Sequence, residues 1–352
     1  MQDLTIKQFI IHNYRGLNNV CLDNLSNVNI LVGANNSGKT SVLEALKIMS
    51  APNEEGNIIH LATYRRGGMS GKQQYLVNYL LSIFQRVKEE DNQHYRIGIE
   101  ADVNGKRCVC NVDGAIGEYI DLSDMREDSS QTFDLAIRTE IAGKKKYSIS
   151  TIYGKNDYRY TIHEDPLFKC LYFHSHVNYY TSCVSFLTEH IVQEGKNDVL
   201  QMLKTFDKNI VDISIINDDI YLTNKFSGSL PLFSYGLGTQ KAVLLILALM
   251  RAQNGVLLID EIDNAIHISV FKDVFKWFIT ACVEKNVQAF ITTHSAEALD
   301  EILKLSHKNN CEKNIRVITL RKNYENNETY CKVRTGEEAY EDRKVFRMEL
   351  RV

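Results

Sequence analysis

Hydrophobic and polar residues alternate in different ways along the chain. Near its start, LTIKQFIIHNY, NVCLDNL and NVNILVG are typical of three short strands separated by turn residues, and the last strand ends at a glycine. The following stretch places Val42, Leu43, Leu46 and Met49 at helical spacing. The pattern predicts a strand, a glycine-rich loop and a helix with one buried face.

The middle of the chain has a different period. From about residue 92 to 162, alternating segments are interrupted by VNGK, VDGA, IAGKK and YGKND, where glycine suits hairpin turns. Residues 182 to 209 have a helical pattern in two pieces divided at Gly195, and VDISIINDDIYLTNKF returns to a strand pattern. We expect an antiparallel β lobe at 91–165 and a helical or mixed insert at 166–230.

After residue 231 the predicted elements alternate between helix and strand. The strands are GVLLID, QAFITTH and IRVITL, and the helices follow SYGLGTQK, cover VFKDVFKWFITACVEK and begin at SAEALDEIL. Alternation of apolar strands with helices predicts an α/β fold with a parallel sheet covered by helices. Residues 1–90 and 231–352 are therefore expected to share one core.

Composition narrows the class of protein. The 352 residues include 41 basic and 44 acidic side chains, which argues against a strongly basic nucleic-acid binder but leaves a local basic patch open. Eight scattered cysteines fit reduced thiols. The longest apolar run, Ala242 to Met250, is too short to span a membrane, and the start lacks a signal-peptide pattern. We expect a cytoplasmic protein with no membrane partner.

The stretch GANNSGKT matches the phosphate-loop pattern G-x-x-x-x-G-K-[ST] between a predicted strand and a predicted helix. A plain strand-to-helix turn would need neither Lys39 nor Thr40. Lys39 can reach the β and γ phosphates of ATP, and the Thr40 hydroxyl can ligate Mg²⁺, while the backbone amides of the loop face the phosphates. The predicted nucleotide-binding residues are Gly33, Ala34, Asn35, Asn36, Ser37, Gly38, Lys39, Thr40 and Ser41.

Polar residues follow two apolar strands in the last part of the chain. GVLLIDEID ends in Asp260, Glu261 and Asp263, at the strand end where parallel sheets bind ligands. Asp260 is suited to hold Mg²⁺ through water and Glu261 to act as a general base, although an acidic helix start has the same appearance. His294, after the next strand, is suited to sense a γ-phosphate, the alternative being a capping or satisfied polar residue.

A second glycine-rich loop, SYGLGTQK, contains Ser234, Gly236 and Gly238 and runs into an apolar helix. It lacks the lysine and hydroxyl that end a phosphate loop, so it is not expected to hold a nucleotide alone. It makes sense if it caps the γ-phosphate of a nucleotide bound by another copy, which predicts a homodimer or larger homo-oligomer assembled through ATP.

The four stretches GANNSGKT, SYGLGTQK, LLIDEID and ITTHS, in this order, resemble the ABC-type ATPase core of the SMC, RecF and OLD group. The resemblance implies a P-loop NTPase with a mixed sheet, whose two halves are 1–90 and 231–352. It implies that Ser234 to Gly238 form the signature loop, Asp260 belongs to Walker B, Glu261 is the catalytic glutamate and His294 is the switch histidine, with Lys39 also catalytic. IIHNYRGL resembles the family's first strand and turn, where Arg15 would approach the phosphates; a surface arginine is the alternative.

The pattern departs from the family in several respects. The signature differs from the LSGGQ form of transporters, no long heptad stretch is present, and Gln73 and Gln74 are poor candidates for the Q-loop. The sequence THS at Thr293 to Ser295, which ends the motif ITTHS, and the short helical insert resemble the stand-alone OLD-like ATPases of bacterial anti-phage systems such as PARIS, Septu and retrons. About sixty residues follow His294, which we expect to be too few for a nuclease domain, so the resemblance implies a separately encoded effector, a nuclease or toxin, as partner.

Two other functions remain open at this point. One is a RecF-like repair ATPase that clamps DNA, which would make nucleic acid a partner, and the other is a nucleotide-gated scaffold. Lys144 to Lys146, and Arg65 with Arg66, are candidate phosphate-backbone contacts or simply solvated basic residues. His174 to His176 with His163 are a weak metal candidate, since polar residues on strands are far commoner.

Overall fold

The computed structural model of the chain describes residues 5–64, 76–89, 92–120, 129–153, 166–173, 184, 187–188, 196–262, 268–323, 325–326 and 328–351. The strands are β1 (Ile6–Tyr14), β2 (Leu17–Leu22), β3 (Val28–Val32), β4 (Gln85–Glu89), β5 (Asn92–Val103), β6 (Lys106–Ile120), β7 (Ser129–Ile141), β8 (Lys144–Tyr153), β9 (Cys170–Phe173), β10 (Ile210–Ile216), β11 (Asp219–Asn224), β12 (Gly228–Pro231), β13 (Val256–Ile259), β14 (Gln288–Thr292), β15 (Ile315–Lys322) and β16 (Thr329–Thr335). The helices are α1 (Lys39–Ser50), α2 (Glu55–Thr63), α3 (Leu76–Leu81), α4 (Lys196–Phe206), α5 (Leu237–Arg251), α6 (Ile268–Glu284), α7 (Ala296–Lys308) and α8 (Gly336–Lys344).

The central sheet has the strand order β16-β15-β3-β14-β13-β9. All neighbours pair in parallel except β15 and β16, which pair antiparallel. Every residue of β3, β13 and β14 is buried, because the sheet lies between two hydrophobic clusters, and their sequences are accordingly mostly apolar. The carboxyl ends of these three strands therefore meet at one edge, as the α/β prediction requires.

A second, antiparallel sheet has the order β2-β1-β5-β6-β7-β8, with β4 paired to β5. Its predicted turns occur at Asn104–Gly105 and Ala142–Gly143, where all four residues have positive φ. The prediction of a turn at VDGA is wrong, because Gly114 lies within β6 and pairs with Leu135. A Cβ at Gly114 would lie 2.3 Å from Phe133 Cζ, so this glycine makes room for a buried ring.

Strand pairing crosses the boundaries expected from the sequence. β1, expected in the core, pairs with β5 of the antiparallel sheet, and β9, expected in the 166–230 insert, pairs in parallel with β13 of the central sheet. The Gln288 side chain of β14 links the two sheets through hydrogen bonds with both the N–H and the C=O of Ile6, each 2.8 Å. The division of the chain into domains stays a prediction.

Two small units complete the fold. β10, β11 and β12 form a three-stranded antiparallel sheet that leads directly into the second glycine-rich loop. The charged stretch after β16 forms α8, which the sequence analysis did not predict; its capping box joins Thr335 and Glu338. Among the described residues, helices that combine the length and apolarity needed to cross a membrane are absent.

Candidate nucleotide-binding site

The loop between β3 and α1 depends on its glycines for its shape. A Cβ at Gly33 would lie 2.4 Å from the carbonyl oxygen of Leu320, and a Cβ at Gly38 would lie 2.3 Å from Leu17 Cδ2. Gly38 also has φ of 99°, in the left-handed region that other residues rarely adopt. The two glycine positions of the phosphate-loop pattern are therefore those where a side chain would not fit.

Two polar side chains of this loop are directed into it. Lys39 is 4% exposed, and its Nζ donates hydrogen bonds to the carbonyl oxygens of Gly33 (2.8 Å) and Ala34 (2.9 Å). Ser37 Oγ is buried and has no hydrogen-bond partner among the described residues. A buried ammonium held by neutral carbonyls and an unpartnered hydroxyl suit a loop that binds phosphate oxygens.

Asp260, at the end of β13, lies beside the first turn of α1. Thr40 Oγ1 donates to its carboxylate oxygens at 3.1 and 3.2 Å, and Thr292 Oγ1 donates to Oδ1 at 2.7 Å. Burial raises the pKa of Asp260, an effect that the two threonine bonds oppose and that the charge of Glu261 reinforces. A hydroxyl and a desolvated carboxylate side by side are the hard oxygen ligands that Mg²⁺ prefers, so these residues fit the ion.

Glu261 and His294 are brought together at the same edge. Glu261 has φ of 56°, and its N–H donates to Thr292 Oγ1 at 2.8 Å. His294 Nε2 lies 3.7 Å from Glu261 Oε1, in the loop between β14 and α7. Thr292 thus links Asp260 and Glu261, a role that the sequence analysis missed; the only signal was a hydroxyl at the end of an otherwise apolar run.

Arg15 has a different partner from the one expected. Its guanidinium donates to the carboxylate of Glu44 on α1, with Nε 2.7 Å from Oε2, instead of pointing to the phosphate loop. Glu44 is fully buried and also accepts hydrogen bonds from the hydroxyls of Tyr14 (3.1 Å) and Tyr64 (2.6 Å). A buried carboxylate demands such partners, which explains why Arg15 turns inward.

The second glycine-rich loop is exposed. Ser234 ends a short 3-10 turn (Leu232–Ser234), Gly236 precedes α5, and Gly238 lies in its first turn. Gln240 Nε2 donates to the carbonyl oxygens of Phe233 and Tyr235 and so braces the loop. Within the described residues, hydrogen bonds between this loop and the first one are absent.

Several sequence candidates lie outside the described residues. They are Arg65, Arg66, Gln73, Gln74, His163, His174 to His176 and Asp263. Lys144 to Lys146 are described; they begin β8 and are exposed, as solvated lysines would be.

Comparison with known families points to the chemistry of this site. The family described as "AAA ATPase domain" matches residues 5–181, and the family described as "AAA domain, putative AbiEii toxin, Type IV TA system" matches residues 143–300. The first match includes the phosphate loop and the second includes Asp260, Glu261 and His294. Between them, the two matches cover all four motifs.

Individual proteins agree with the family matches. The chain is 25% identical over 333 residues to an ATP/GTP phosphatase of Helicobacter pylori, covering 85% of this chain and 88% of that protein. It is 28% identical over 124 residues to the DNA replication and repair protein RecF of Cellvibrio japonicus, covering 34% of this chain and 30% of RecF.

Among solved structures, the crystal structure of the SmcHead bound to the C-winged helix domain of ScpA has a TM-score of 0.50 at 11% identity, covering 95% of this chain and 98% of that one. At this identity the likeness concerns the fold, which is that of a P-loop NTPase. Fold, phosphate loop and family match agree, and the chain belongs to the AAA ATPase domain family.

Proposed function

We propose that this chain hydrolyses ATP between two copies of itself and uses the cycle to control a separately encoded effector. The observation that carries the catalytic part is the cluster at the strand ends, in which Thr40 and Thr292 both donate to Asp260 and Glu261 follows directly. Glu261 directly follows the carboxylate that would hold Mg²⁺, and this position suits a general base that polarises the attacking water.

Each residue of the cluster has a role in this proposal. Lys39 exchanges its carbonyl partners for the β and γ phosphates, and the loop amides bind the remaining phosphate oxygens. Thr40 and Asp260 hold Mg²⁺, which neutralises phosphate charge when it is bound. Glu261 orients and polarises a water molecule, and His294, 3.7 Å from it, contacts the γ-phosphate.

The second copy supplies the other half of the site. Ser234 and Gly236 are exposed, and Phe233 beside them is 64% exposed. An exposed loop that ends in a helix N-terminus presents free amides and a positive dipole to an anion held by another molecule. Because each copy offers both halves, the arrangement closes as a symmetric dimer with two nucleotides.

Control of an effector is supported by the second family match, whose description names a toxin of a Type IV TA system. This agrees with an OLD-like ATPase of bacterial anti-phage defence, restraining a nuclease or toxin until hydrolysis or a phage trigger releases it. The alternative is a DNA-clamping repair ATPase, which the 28% identity to RecF over 124 residues supports.

The assembly is tested by measuring the mass of the full chain in solution, with and without ATP and Mg²⁺. For wild type we expect ATP to increase the mass, and for Glu261→Gln we expect the larger species to persist because hydrolysis no longer ends it. Ser234→Arg should bind nucleotide yet remain at the mass of the nucleotide-free chain. An unchanged mass for both Glu261→Gln and wild type would contradict the dimer.

The two partner classes are separated by a second measurement on the ATP-locked Glu261→Gln chain. A DNA clamp should bind duplex in an ATP-dependent manner, and its affinity should fall steeply as salt is raised. An effector-controlling ATPase should instead bind the product of a neighbouring toxin or nuclease gene and show no such duplex binding.

A further inference from the structure

The peptide of His294 is held by a residue outside the four motifs. Arg351 Nη1 donates a hydrogen bond of 2.8 Å to the carbonyl oxygen of His294. The neighbouring backbone amides have other partners, since Thr293 N donates to the Leu31 carbonyl of β3 and Ser295 N donates to Thr293 Oγ1. The bond from Arg351 therefore acts on the His294 peptide itself.

The direction of the Arg351 guanidinium is fixed by Glu349. The two carboxylate oxygens of Glu349 accept from Nε and Nη2 of Arg351, both at 2.9 Å. This fork occupies one edge of the planar guanidinium and leaves Nη1 directed at His294. Hydrogen bonding from Arg351 lowers the pKa of Glu349 to about 2, so the carboxylate is ionised at neutral pH.

The segment that carries this pair, residues 348–351, is anchored on both sides. The Leu350 side chain is 1% exposed and belongs to one of the two hydrophobic clusters that flank the central sheet. Its carbonyl oxygen accepts a hydrogen bond of 2.9 Å from Thr319 Oγ1 of β15. Arg343 of α8 donates to the Met348 carbonyl and, through two bonds of 2.6 Å, to Asp300 of α7. Since α7 begins directly after the His294 loop, the segment and the loop share one support.

We propose that Arg351, oriented by Glu349, is a positioning residue that keeps His294 beside Glu261. The inference rests on the proposed function, because it assumes that His294 contacts the γ-phosphate. Without the bond to its carbonyl, the His294 peptide can rotate and carry the imidazole away from the reacting phosphate. Misplacement by about 1 Å can lower a rate about 100-fold, so a partial release should lower it about tenfold.

A purely structural role would give a different result. The Arg351 and Glu349 side chains are 34% and 37% exposed, and ion pairs at that exposure stabilise a fold little. Loss of Arg351 should therefore leave the melting temperature within about 2 °C of wild type. The effect should fall on kcat, since the residues that hold the nucleotide are untouched.

The experiment compares ATP hydrolysis by the full chain as wild type, Arg351→Ala and Arg347→Ala. Arg347 is a matched control, because it lies in the same stretch, is exposed and has no hydrogen bond or ion pair with the described residues. For Arg351→Ala we expect kcat to fall about tenfold with KM within about twofold. Arg351→Lys should recover part of the rate, since an ammonium reaches one carbonyl but cannot fork Glu349. Arg347→Ala should match wild type.

A double substitution shows whether Arg351 acts through His294. His294→Ala alone should lower kcat, and adding Arg351→Ala to it should lower kcat no further. Losses that multiply in the double variant, or a wild-type kcat for Arg351→Ala beside a reduced one for His294→Ala, would overturn the inference and leave the proposed function intact. A wild-type kcat for His294→Ala would contradict the proposed role of the histidine, and this inference with it.

Glu349→Gln covers the case in which Arg351→Ala melts more than about 5 °C below wild type. The amide keeps the size of the side chain but can no longer accept both guanidinium bonds, so kcat should fall about threefold at unchanged KM. An unchanged kcat for a folded Glu349→Gln chain would show that the guanidinium needs no carboxylate to hold the histidine, and would overturn the inference.

Discussion

The two glycine-rich loops of this chain use glycine for different reasons. In the first loop, Gly38 has φ of 99° and an added Cβ would lie 2.3 Å from Leu17, so the glycine is required by the chain's own packing. In the second loop, Gly236 has φ of −58°, which any residue adopts, and an added Cβ would meet nothing within 4 Å. Backbone geometry and internal packing therefore leave Gly236 unexplained.

The two loops also differ in the exposure of the side chains in and beside them. Lys39 in the first loop is 4% exposed and bonded to the loop's own carbonyls, whereas Phe233 beside the second loop is 64% exposed. The shape of the first loop is thus fixed by contacts within one chain. The open space at Gly236 leaves room for a group from outside the chain, which supports the proposal that a second copy brings its nucleotide there.

The largest expected effect comes from two single variants, one with a defect in the first loop and the other with a defect in the second. Lys39→Ala and Ser234→Arg should each lower hydrolysis at least about 100-fold, because every composite site then lacks one half. An equal mixture should regain about a quarter of the wild-type rate, since about half of the dimers are mixed and one of their two sites is intact. The rate of phosphate release from the mixture is the measurement.

The matched control for this mixture is the double variant Lys39→Ala/Ser234→Arg combined with wild type. There each mixed dimer joins a Lys39→Ala loop to an intact signature loop at one site, and an intact phosphate loop to Ser234→Arg at the other, so no mixed site is complete. The rate should then come from wild-type dimers alone. About a quarter of the wild-type rate is therefore expected in both mixtures. A rate of about half in this control, with no recovery in the first mixture, would mean that the second loop does not act across the dimer.

The stability of α1, which follows the first loop, should depend on Arg15, because this residue pairs with the buried Glu44 of that helix. Arg15→Ala leaves the buried Glu44 carboxylate without its guanidinium, which should lower the free energy of unfolding by about 3 kcal/mol. Denaturant unfolding measures this loss, and ATP affinity at a temperature where the variant is folded should change less than about threefold. A large loss of affinity without loss of stability would instead place Arg15 at the phosphates.

A pair of glycine substitutions tests the comparison directly. Gly38→Ala should lower the free energy of unfolding by about 2 kcal/mol, from the left-handed φ and the contact with Leu17. Gly236→Ala should change it by less than about 1 kcal/mol, and in the favourable direction, because alanine fits the same backbone and restricts the unfolded chain. If Gly236→Ala also leaves hydrolysis at the wild-type rate, nothing approaches that loop closely.

Motifs and strand patterns predicted much of the fold and of the site. The phosphate loop, the acidic strand end and the histidine lie on separate strands of the central sheet, and parallel pairing of β3, β14 and β13 brings their ends together. That convergence follows from alternating apolar strands and helices. The motifs were recognisable in the sequence because each combines residues that a backbone conformation requires, such as glycines or an apolar strand, with polar side chains suited to phosphate or Mg²⁺.

What the sequence could not predict depends on contacts between distant segments. The four residues of β9 are too short a run to be assigned to the central sheet, and their place follows only from pairing with β13. Thr292 looks like one more strand residue until its hydroxyl is seen between Asp260 and Glu261. Arg15 was expected at the phosphates from the family resemblance, and its bond to Glu44, buried in the second turn of α1, gives no signal in the sequence.

The smallest predicted effect concerns the buried carboxylate of Asp260 and its influence on the melting temperature. Burial raises the pKa of Asp260, so the folded chain binds this proton more tightly than the unfolded chain does, and the ionised carboxylate lowers stability above that pKa. Without Mg²⁺ or nucleotide, Asp260→Asn should therefore melt about 2 °C above wild type near neutral pH while losing hydrolysis. The difference in melting temperature between the two chains should narrow as the pH falls toward 3.8, the ordinary pKa of an aspartate. Asp23→Asn, at an exposed aspartate, should show no such gap; an Asp260→Asn chain that melts below wild type would mean that the threonine bonds outweigh the burial of the charge.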